Sequence, residues 1–519
     1  MTRYIYYLLT FGFILLWSSC REDFEFSPSS GNLEFSVDTL FLDTLFTNIS
    51  SSTFNVKVYN RSNDDIVIPN VGLALGEASD YRLNVDGIPG KVFNNIEIQA
   101  QDSIFIFVET TVDFSDLNTN TTDFVYTDQI EFDSNENQQT VELVTLVKDA
   151  KFILPNRDNT TRVVETLTLN IDGEPVETDM EGRELLPNEL TFTNEKPYVI
   201  YGYAVVPEGE TLNIEAGARI HFHENSGIIV SNNASIKVNG AFSNDQDTLE
   251  NEIIFEGDRL ETSFTNTPGQ WGSIWLLNGS KDNVINYATI KNGTIGLLCE
   301  GDANQANKLN INNSQIYNFA SFGILGRNTN IIGNNVVINN VGQSSIAGIN
   351  GGSYNFTHST LVNYWNNSSR QFPALLLNNN TITDSNSNTD LTQANFNNCI
   401  IYGNSRNEIS LNDNEENAFN FKFTNCLVRL ERRSNDNPNF DFNNTLLYQD
   451  NIFNDDPNFK DIELNNFIIG EESAAINKAN PIFSNLIPLD ILNIDRTIAP
   501  DIGAYQHVIF TEENMNNMN

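Results

Sequence analysis

The sequence predicts an all-β chain in which a sandwich of short strands precedes a parallel β-helix, and three observations predict it. A short motif recurs through the middle of the chain with an asparagine at nearly the same place. Its copies are Asn313-Ser314-Gln315-Ile316, Asn335-Val336-Val337-Ile338, His358-Ser359-Thr360-Leu361, Asn398-Cys399-Ile400-Ile401 and Asn425-Cys426-Leu427-Val428. The steps are 22, 23, 40 and 27 residues, the 40 reading as two shorter coils, and a period in the twenties marks a solenoid. The copies are too β-branched and too Asn-rich for helical repeats, so each is one coil of strands. Upstream, residues 33–148 instead alternate apolar and polar side chains in short runs broken by turn signals.

The elements follow in order. Arg3 and the apolar run 4–17 form a targeting segment too short to span a membrane, so 1–19 reads as a signal peptide. It ends Leu16-Trp17-Ser18-Ser19-Cys20, which resembles a bacterial lipoprotein signal, in which small residues precede a cysteine that becomes lipidated. The resemblance implies lipidation at Cys20, and several acyl chains on one residue anchor stably where a single chain does not. The charged Arg21-Glu22-Asp23 that follows resembles the surface-export signal of Bacteroidetes-type lipoproteins, implying the outer face of the outer membrane. Residues 20–32 read as a polar tether. Within 33–148, the runs 54–60, 96–98 and 103–108 belong to roughly seven strands that suit an immunoglobulin-like β-sandwich. The module resembles the Ig-like domains that precede β-helices in surface proteins. Residues 149–190 are acidic and less regular, a connector and N-terminal cap. The β-helix takes 191–470, and 471–519 is a C-terminal cap and polar tail.

The solenoid carries a further likeness. Thr211-Leu212-Asn213-Ile214-Glu215-Ala216-Gly217-Ala218-Arg219-Ile220, Gly227-Ile228-Ile229-Val230 and Pro268-Gly269-Gln270-Trp271-Gly272-Ser273-Ile274 resemble the opening coils of right-handed parallel β-helix repeat proteins of the pectin-lyase-like class. Asp456-Pro457-Asn458-Phe459 and the run from Arg496 to Asp501-Ile502-Gly503-Ala504-Tyr505 resemble their closing segment. The resemblance covers about 195–507. It implies a right-handed parallel β-helix solenoid, and no single activity, because that fold hosts many.

Charge excludes some partners. The formal net charge is −40, from 68 acidic and 28 basic residues. Nucleic acid needs a Lys/Arg surface, and so does electrostatic docking on anionic lipid. The charge reads first as solubility and second as a source of calcium sites. After Cys20 only Cys299, Cys399 and Cys426 remain, an odd number that makes no disulfide framework. Cys399 and Cys426 fill the slot that Ala288, Ser314 and Ser359 take in other coils, so they read as stacked core thiols.

The repeat also sorts inward from outward residues. Two positions before each corner asparagine stand Ile311, Gly333, Phe356, Phe396 and Phe423. Three after stand Ile316, Ile338, Leu361, Ile401 and Val428, and alternation points both sets inward. The asparagines sit at a bend, where their amides can bond the coils above and below. Asn292, Asn318, Asn340 and Asn363 read as a second such ladder, and His358 as a member of the first.

Enzymes of this class act on polysaccharides along one outer face, on the strand that begins Gly-Ile. Its copies here are Gly227-Ile228, Ser273-Ile274, Gly296-Leu297, Gly323-Ile324 and Gly348-Ile349, then 375–377 and 409–411. The outward residues are then Ile229 and Ser231, Trp275 and Leu277, Leu298 and Glu300, Leu325 and Arg327, Asn350 and Gly352, Leu376, and Ser410. Hydrolysis needs two carboxylates, and elimination needs a basic residue, often with calcium. The face offers one charged pair, Glu300 and Arg327, as catalytic candidates, and polygalacturonase-type acidic motifs are absent. It does offer an apolar stripe, Ile229, Trp275, Leu298, Leu325 and Leu376. Such a stripe marks contact with a ligand, with the insertion at 364–393 or with the sandwich. Trp275, Leu298, Leu325, Tyr317 and Tyr402 are the binding candidates, with Trp271 and Trp365 as further aromatics. His221 and His223 both point outward and lack a third metal ligand. Asp455, Asp456 and Asp461 are the candidates for calcium, the one cofactor entertained. The reading is a surface lipoprotein that binds a polysaccharide or a surface protein without catalysis, as a monomer. A polysaccharide lyase or hydrolase and a structural or adhesive stalk are the alternatives.

Overall fold

A computed structural model describes residues 26–113, 123–171, 173–301, 308–380, 389–431 and 437–510. Cys20 and the targeting segment lie outside them. The chain divides into two compact units, Met1–Asp149 and Ala150–Asn519.

The first unit is a β-sandwich of a six-stranded and a five-stranded sheet. Strict alternation makes it: in Ser103–Thr110, Ile104, Ile106 and Val108 are buried while Phe105 and Phe107 face outward. Leu42, Ile68, Ile130 and Leu143 from one sheet meet Val56, Val58 and Ile106 from the other in a shared core. Tyr81 crosses between the sheets, its hydroxyl 2.9 Å from Thr145 Oγ1. Ser27–Pro28, expected in the tether, pairs with Ile66–Val67 instead, so the sandwich begins before residue 33.

The second unit is the right-handed parallel β-helix, and each coil contributes one strand to each of three faces. The coil that begins Ile400–Gly403 illustrates the order: first face Ile400–Gly403, second face Ile409–Asn412, third face Phe419–Thr424. The second face is a ten-stranded sheet, while the other two merge into one nineteen-stranded sheet across the asparagine corner. Inward residues stack in rows up the interior. Phe356, Phe396, Phe423 and Tyr448 are parallel at ring separations of 5.8, 5.2 and 5.6 Å. Gly333 occupies the same row because a Cβ there would lie 2.4 Å from the Phe356 ring. Cys399 and Cys426 are fully buried, with their thiols against strand carbonyls, as their slot requires.

The corner asparagines are explained by the backbone. Asn313, Asn335, His358, Asn398 and Asn425 have φ of 47°, 52°, 49°, 53° and 50°, the left-handed region that asparagine tolerates best among residues with a Cβ. Their amides form the ladder: Asn335 Nδ2 donates to Asn313 Oδ1 at 2.8 Å, and Asn398 Nδ2 donates to His358 Nε2 at 2.9 Å. The second ladder runs Asn292, Asn318, Asn340 at 3.3 and 2.8 Å. Asn363 leaves it, donating to the carbonyls of Val341 and Gln343 instead.

Two segments depart from the expected boundaries. The coils begin with a partial turn inside the expected connector, where Lys151–Ile153 and residues 182–184 already pair into the solenoid. The last coil strand is Ile452–Phe453, and from Phe459 the chain turns back along the outside of the first face. There Phe467, Ile469, Ala475, Ile502 and Tyr505 cover Val337, Val362, Ile400 and Leu427, and Tyr402 packs against this cluster. The expected end cap is therefore a strap. It grips the asparagine corner, with Arg496 bonded to Asn335 Oδ1 and to the carbonyls of Gly503 and Ala504. His358 is held between Gly503 O and Ser484 Oγ. Burial and the nearby Arg496 charge hold its pKa well below the ordinary value, so it is neutral.

Candidate functional site

The second face is roofed at its N-terminal end by a β-hairpin, Thr166–Ile171 with Glu174–Glu184. Residues 182–184 of the hairpin join the second face by pairing with 203–205, and the rest folds over the outside. Leu167, Leu169 and Met180 then bury Val205, Ile229 and Leu277, with Tyr203 and Trp275 at the margin. The cover on the first residues of the apolar stripe is thus this hairpin and not the 364–393 insertion. Arg183 fixes the hairpin base, paired with both oxygens of Glu189 at 2.7 and 2.8 Å and donating to Leu154 O at 2.8 Å. Beyond the hairpin, Leu298, Leu325 and Ala347 form a buried outer row, with Trp275 and Leu376 packed against it.

Strand register corrects one coil of the sequence reading. Ile324 pairs with Ile346, not with Ile349, so the outward residues of that coil are Ala347 and Ile349. Asn350 and Gly352 are not the outward pair of that strand. Ile229, Trp275, Leu298, Leu325 and Leu376 keep their assigned places.

Two grooves flank the hairpin. The trailing groove lies where the second-face strands end and has a volume of about 340 Å³. Asn170, Ile171, Leu277, Asn278, Glu300, Gly301, Arg327, Asn328 and Asn350 line it, and so the expected pair Glu300 and Arg327 does share a concave site. Glu300 Oε1 accepts from Arg327 Nη1 at 2.8 Å, and Glu300 Oε2 accepts from the Trp275 indole N–H at 3.0 Å. The indole is thereby turned edge-on to the carboxylate. Among the described lining residues Glu300 is the one carboxylate, so the chemistry on offer is hydrogen bonding by asparagine amides and a guanidinium.

The leading groove lies where the second-face strands begin, and its volume is about 1020 Å³. Tyr201, Tyr203, Pro155, Met180 and Ile295 supply apolar walls, and Asp179, Glu181 and Glu224 supply charge. His223 stacks on Tyr201 at 4.1 Å between centroids, and its Nδ1 bonds Asp258 Oδ2 at 2.7 Å. That bond, against the opposing effect of burial, raises the His223 pKa. His221 is buried instead, 3.7 Å from Glu256, which Lys291 contacts at 2.8 Å. Burial works to raise the Glu256 pKa, but the charges of His221 and Lys291 prevail and lower it.

The remaining expected sites are dispersed. Trp271 is 1% exposed and stacks on Phe222 in the core at 4.3 Å, so it cannot meet a ligand with its face. Trp365 is buried too, its indole bonded to Ser368. Tyr317 lies in the outward row of the first face beside Lys291, apart from the second-face grooves. Leu298 and Leu325 are buried within their own row. Among the described residues no three His, Cys, Asp or Glu side chains are grouped to hold a metal. Asp456 and Asp461 instead accept backbone N–H groups of Asn458 and of Glu463 and Leu464. The leading groove escaped the sequence reading because the acidic stretch around Asp179 hides a hairpin. Its one signal was the alternation of Leu167 and Leu169 with threonines.

The chain matches no protein-family model and no curated protein. Among solved structures, the catalytic unit of a thermostable GH87 α-1,3-glucanase from Streptomyces thermodiastaticus strain HF3-3 aligns with 72% of this chain and 79% of its own, at 9% identity and TM-score 0.24. The Agl-KA catalytic domain aligns over the same shares at 11% identity and TM-score 0.16. A PapD-like domain of human CEP192 aligns with 24% of this chain and 89% of its own, at 12% identity and TM-score 0.16. These likenesses are too distant to carry an activity over.

Proposed function

We propose that this is a surface-anchored lipoprotein whose second face binds a glycan without cleaving it. The observation that carries the reading is the state of Glu300. Both its oxygens are occupied, by Arg327 and by Trp275, and no second carboxylate stands in its groove among the described residues. Hydrolysis of a glycosidic bond needs one carboxyl to protonate and another to activate water or attack. What the trailing groove provides is a set of asparagine amides and one guanidinium, which suits sugar hydroxyls. Support for the anchor is the Leu16–Cys20 resemblance. The immunoglobulin-like reading of the sandwich draws on the parallel pairing of Thr39–Phe46 with Gln139–Lys148, the first long strand beside the last.

The test is calorimetric titration of a panel of neutral oligosaccharides, with product analysis of each mixture. Binding without products is expected, weakened about tenfold by Arg327→Ala, equivalent to about 1.4 kcal/mol. Turnover abolished by Glu300→Gln would establish the enzyme instead, and neither binding nor turnover would leave a stalk. Labelling of cells with a palmitate analogue should mark the wild-type chain and not Cys20→Ser.

A further inference from the structure

We propose that the leading groove is a second binding site, selective for an oligosaccharide bearing free amino groups. This rests on the glycan-binding reading and extends it to a separate place on the second face. The groove is large. About 1020 Å³ is at the upper end of the roughly 300–1,000 Å³ of small-molecule pockets, enough for more than one sugar ring. Its walls are apolar: Tyr201 and Tyr203 are partly buried and sit with Pro155, Met180 and Ile295, a surface of the kind that packs on the faces of pyranose rings.

The rim of the groove is acidic. Asp179 and Glu181 hang from the hairpin on one side, and Glu224 stands on the coil opposite. All three are solvent-exposed, and none makes an ion pair in the described structure. Against them the lining sets Arg157 and His223, and the His223 charge is already answered by Asp258 at 2.7 Å. The groove therefore holds a net surplus of negative charge over an apolar floor, which complements an ammonium-bearing ring.

A basic peptide would satisfy the charge but not the geometry. Extended peptides add to a free strand edge, where their backbone finds partners. Here the strand Tyr203–Val206 is already flanked by the hairpin on one side and by Gly227–Val230 on the other. That strand therefore offers no free edge, so a ligand against it is held by side chains and ring faces, as a sugar is.

The experiment titrates the full chain with two probes of the same length and linkage, the β-1,4-linked glucosamine hexamer and its fully N-acetylated counterpart, in which each charged ammonium is replaced by a neutral acetamide. The glucosamine hexamer is expected to bind at least about tenfold more tightly. The preference should vanish in the Asp179→Asn/Glu181→Gln/Glu224→Gln variant and shrink as salt rises, since exposed charges are screened. Circular dichroism and the melting temperature of the variant check that it is folded, and these exposed positions carry no packing. Equal affinity for the two hexamers would overturn the proposal, as would a preference that survives the triple substitution. Hexalysine binding as tightly, with the same sensitivity to the variant, would overturn the sugar assignment. Arg327→Ala separates this proposal from the glycan-binding reading itself. Neutral glycans lost with Arg327 while the amino-sugar preference is absent would sink this site alone, and no glycan binding of either kind would sink both.

Discussion

Replacing Arg370 with methionine tests how the insertion after the Thr360–Asn363 strand is held. Arg370 and Glu408 form an ion pair with side chains 3% and 0% exposed, bonded twice at 2.5 and 2.8 Å. Arg370 also donates to the carbonyls of Asn363 and Phe372 and to Asn404 Oδ1, while Glu408 accepts the N–H groups of Ala374 and Ser405. Removing the guanidinium leaves a carboxylate buried without its countercharge, a loss of about 3–5 kcal/mol at neutral pH. Burial already holds this carboxyl above its ordinary value, and loss of the opposing Arg370 charge raises it further. A raised folded pKa means the folded state binds the proton more tightly than the unfolded one. Stability is then greatest below the unfolded value and falls as pH rises through the folded value. The deficit of Arg370→Met should therefore be largest near about pH 8 and shrink toward about pH 5. Urea unfolding followed by the emission of Trp365, which lies in the same insertion, measures it at both pH values. The double variant Arg370→Met/Glu408→Leu should recover much of the loss, because the buried charge is gone. A pH-independent deficit, or losses that simply add in the double variant, would refute the reasoning.

Two other outcomes are expected. Burial pushes the Glu252 carboxyl up to about 7, with the Thr289 hydroxyl 3.4 Å away and Arg219 opposing the rise. Its contribution to stability is complete below its unfolded value and is lost as pH rises toward about 7, so Glu252→Gln should flatten the melting temperature between about pH 5 and pH 8. An unchanged slope in the variant would show that another group titrates. Phe396→Ala removes the middle of a row of stacked rings and should cost about 3–5 kcal/mol in urea unfolding; a loss under about 1 kcal/mol would mean that the row relaxes to fill the gap.

The solenoid was legible because its corners are chemically narrow. A left-handed bend with two strands leaving it admits asparagine readily and most other residues poorly, so the period appears in the sequence itself. The inward rows at Phe356, Phe396 and Phe423 followed from alternation. The second face was harder, because Gly-Ile is a common pair. Gly348-Ile349 imitates Gly323-Ile324, yet the register places Ile346 beside Ile324, and an odd offset exchanges inside for outside. The hairpin roof was hidden for a different reason. Its apolar contact with the outside of the solenoid rests on Leu167, Leu169 and Met180, so most of its other residues are polar and resemble a loop. Glu300 and Arg327 were found because both lie on the regular face. Asp179, Glu181, Tyr201 and Glu224 were not, because three separate segments bring them together.

The strap changes how the solenoid must melt. A stack of coils that touch only their neighbours behaves as a one-dimensional array, able to fray from either end and to nucleate anywhere. Here Arg496 is tied to Asn335 across 161 residues, Gly503 to His358 across 145, and Lys478 to Asn425 across 53. Opening a middle coil therefore also breaks contacts with the strap, and peeling the strap uncovers the outward row from Val337 to Leu427. The coils from Asn313 to Val428 are thereby fused into one cooperative block, while the coils before Trp271 are held across their outside by the hairpin instead. The two grooves straddle that difference: Arg327 stands within the block, and His223 stands outside it.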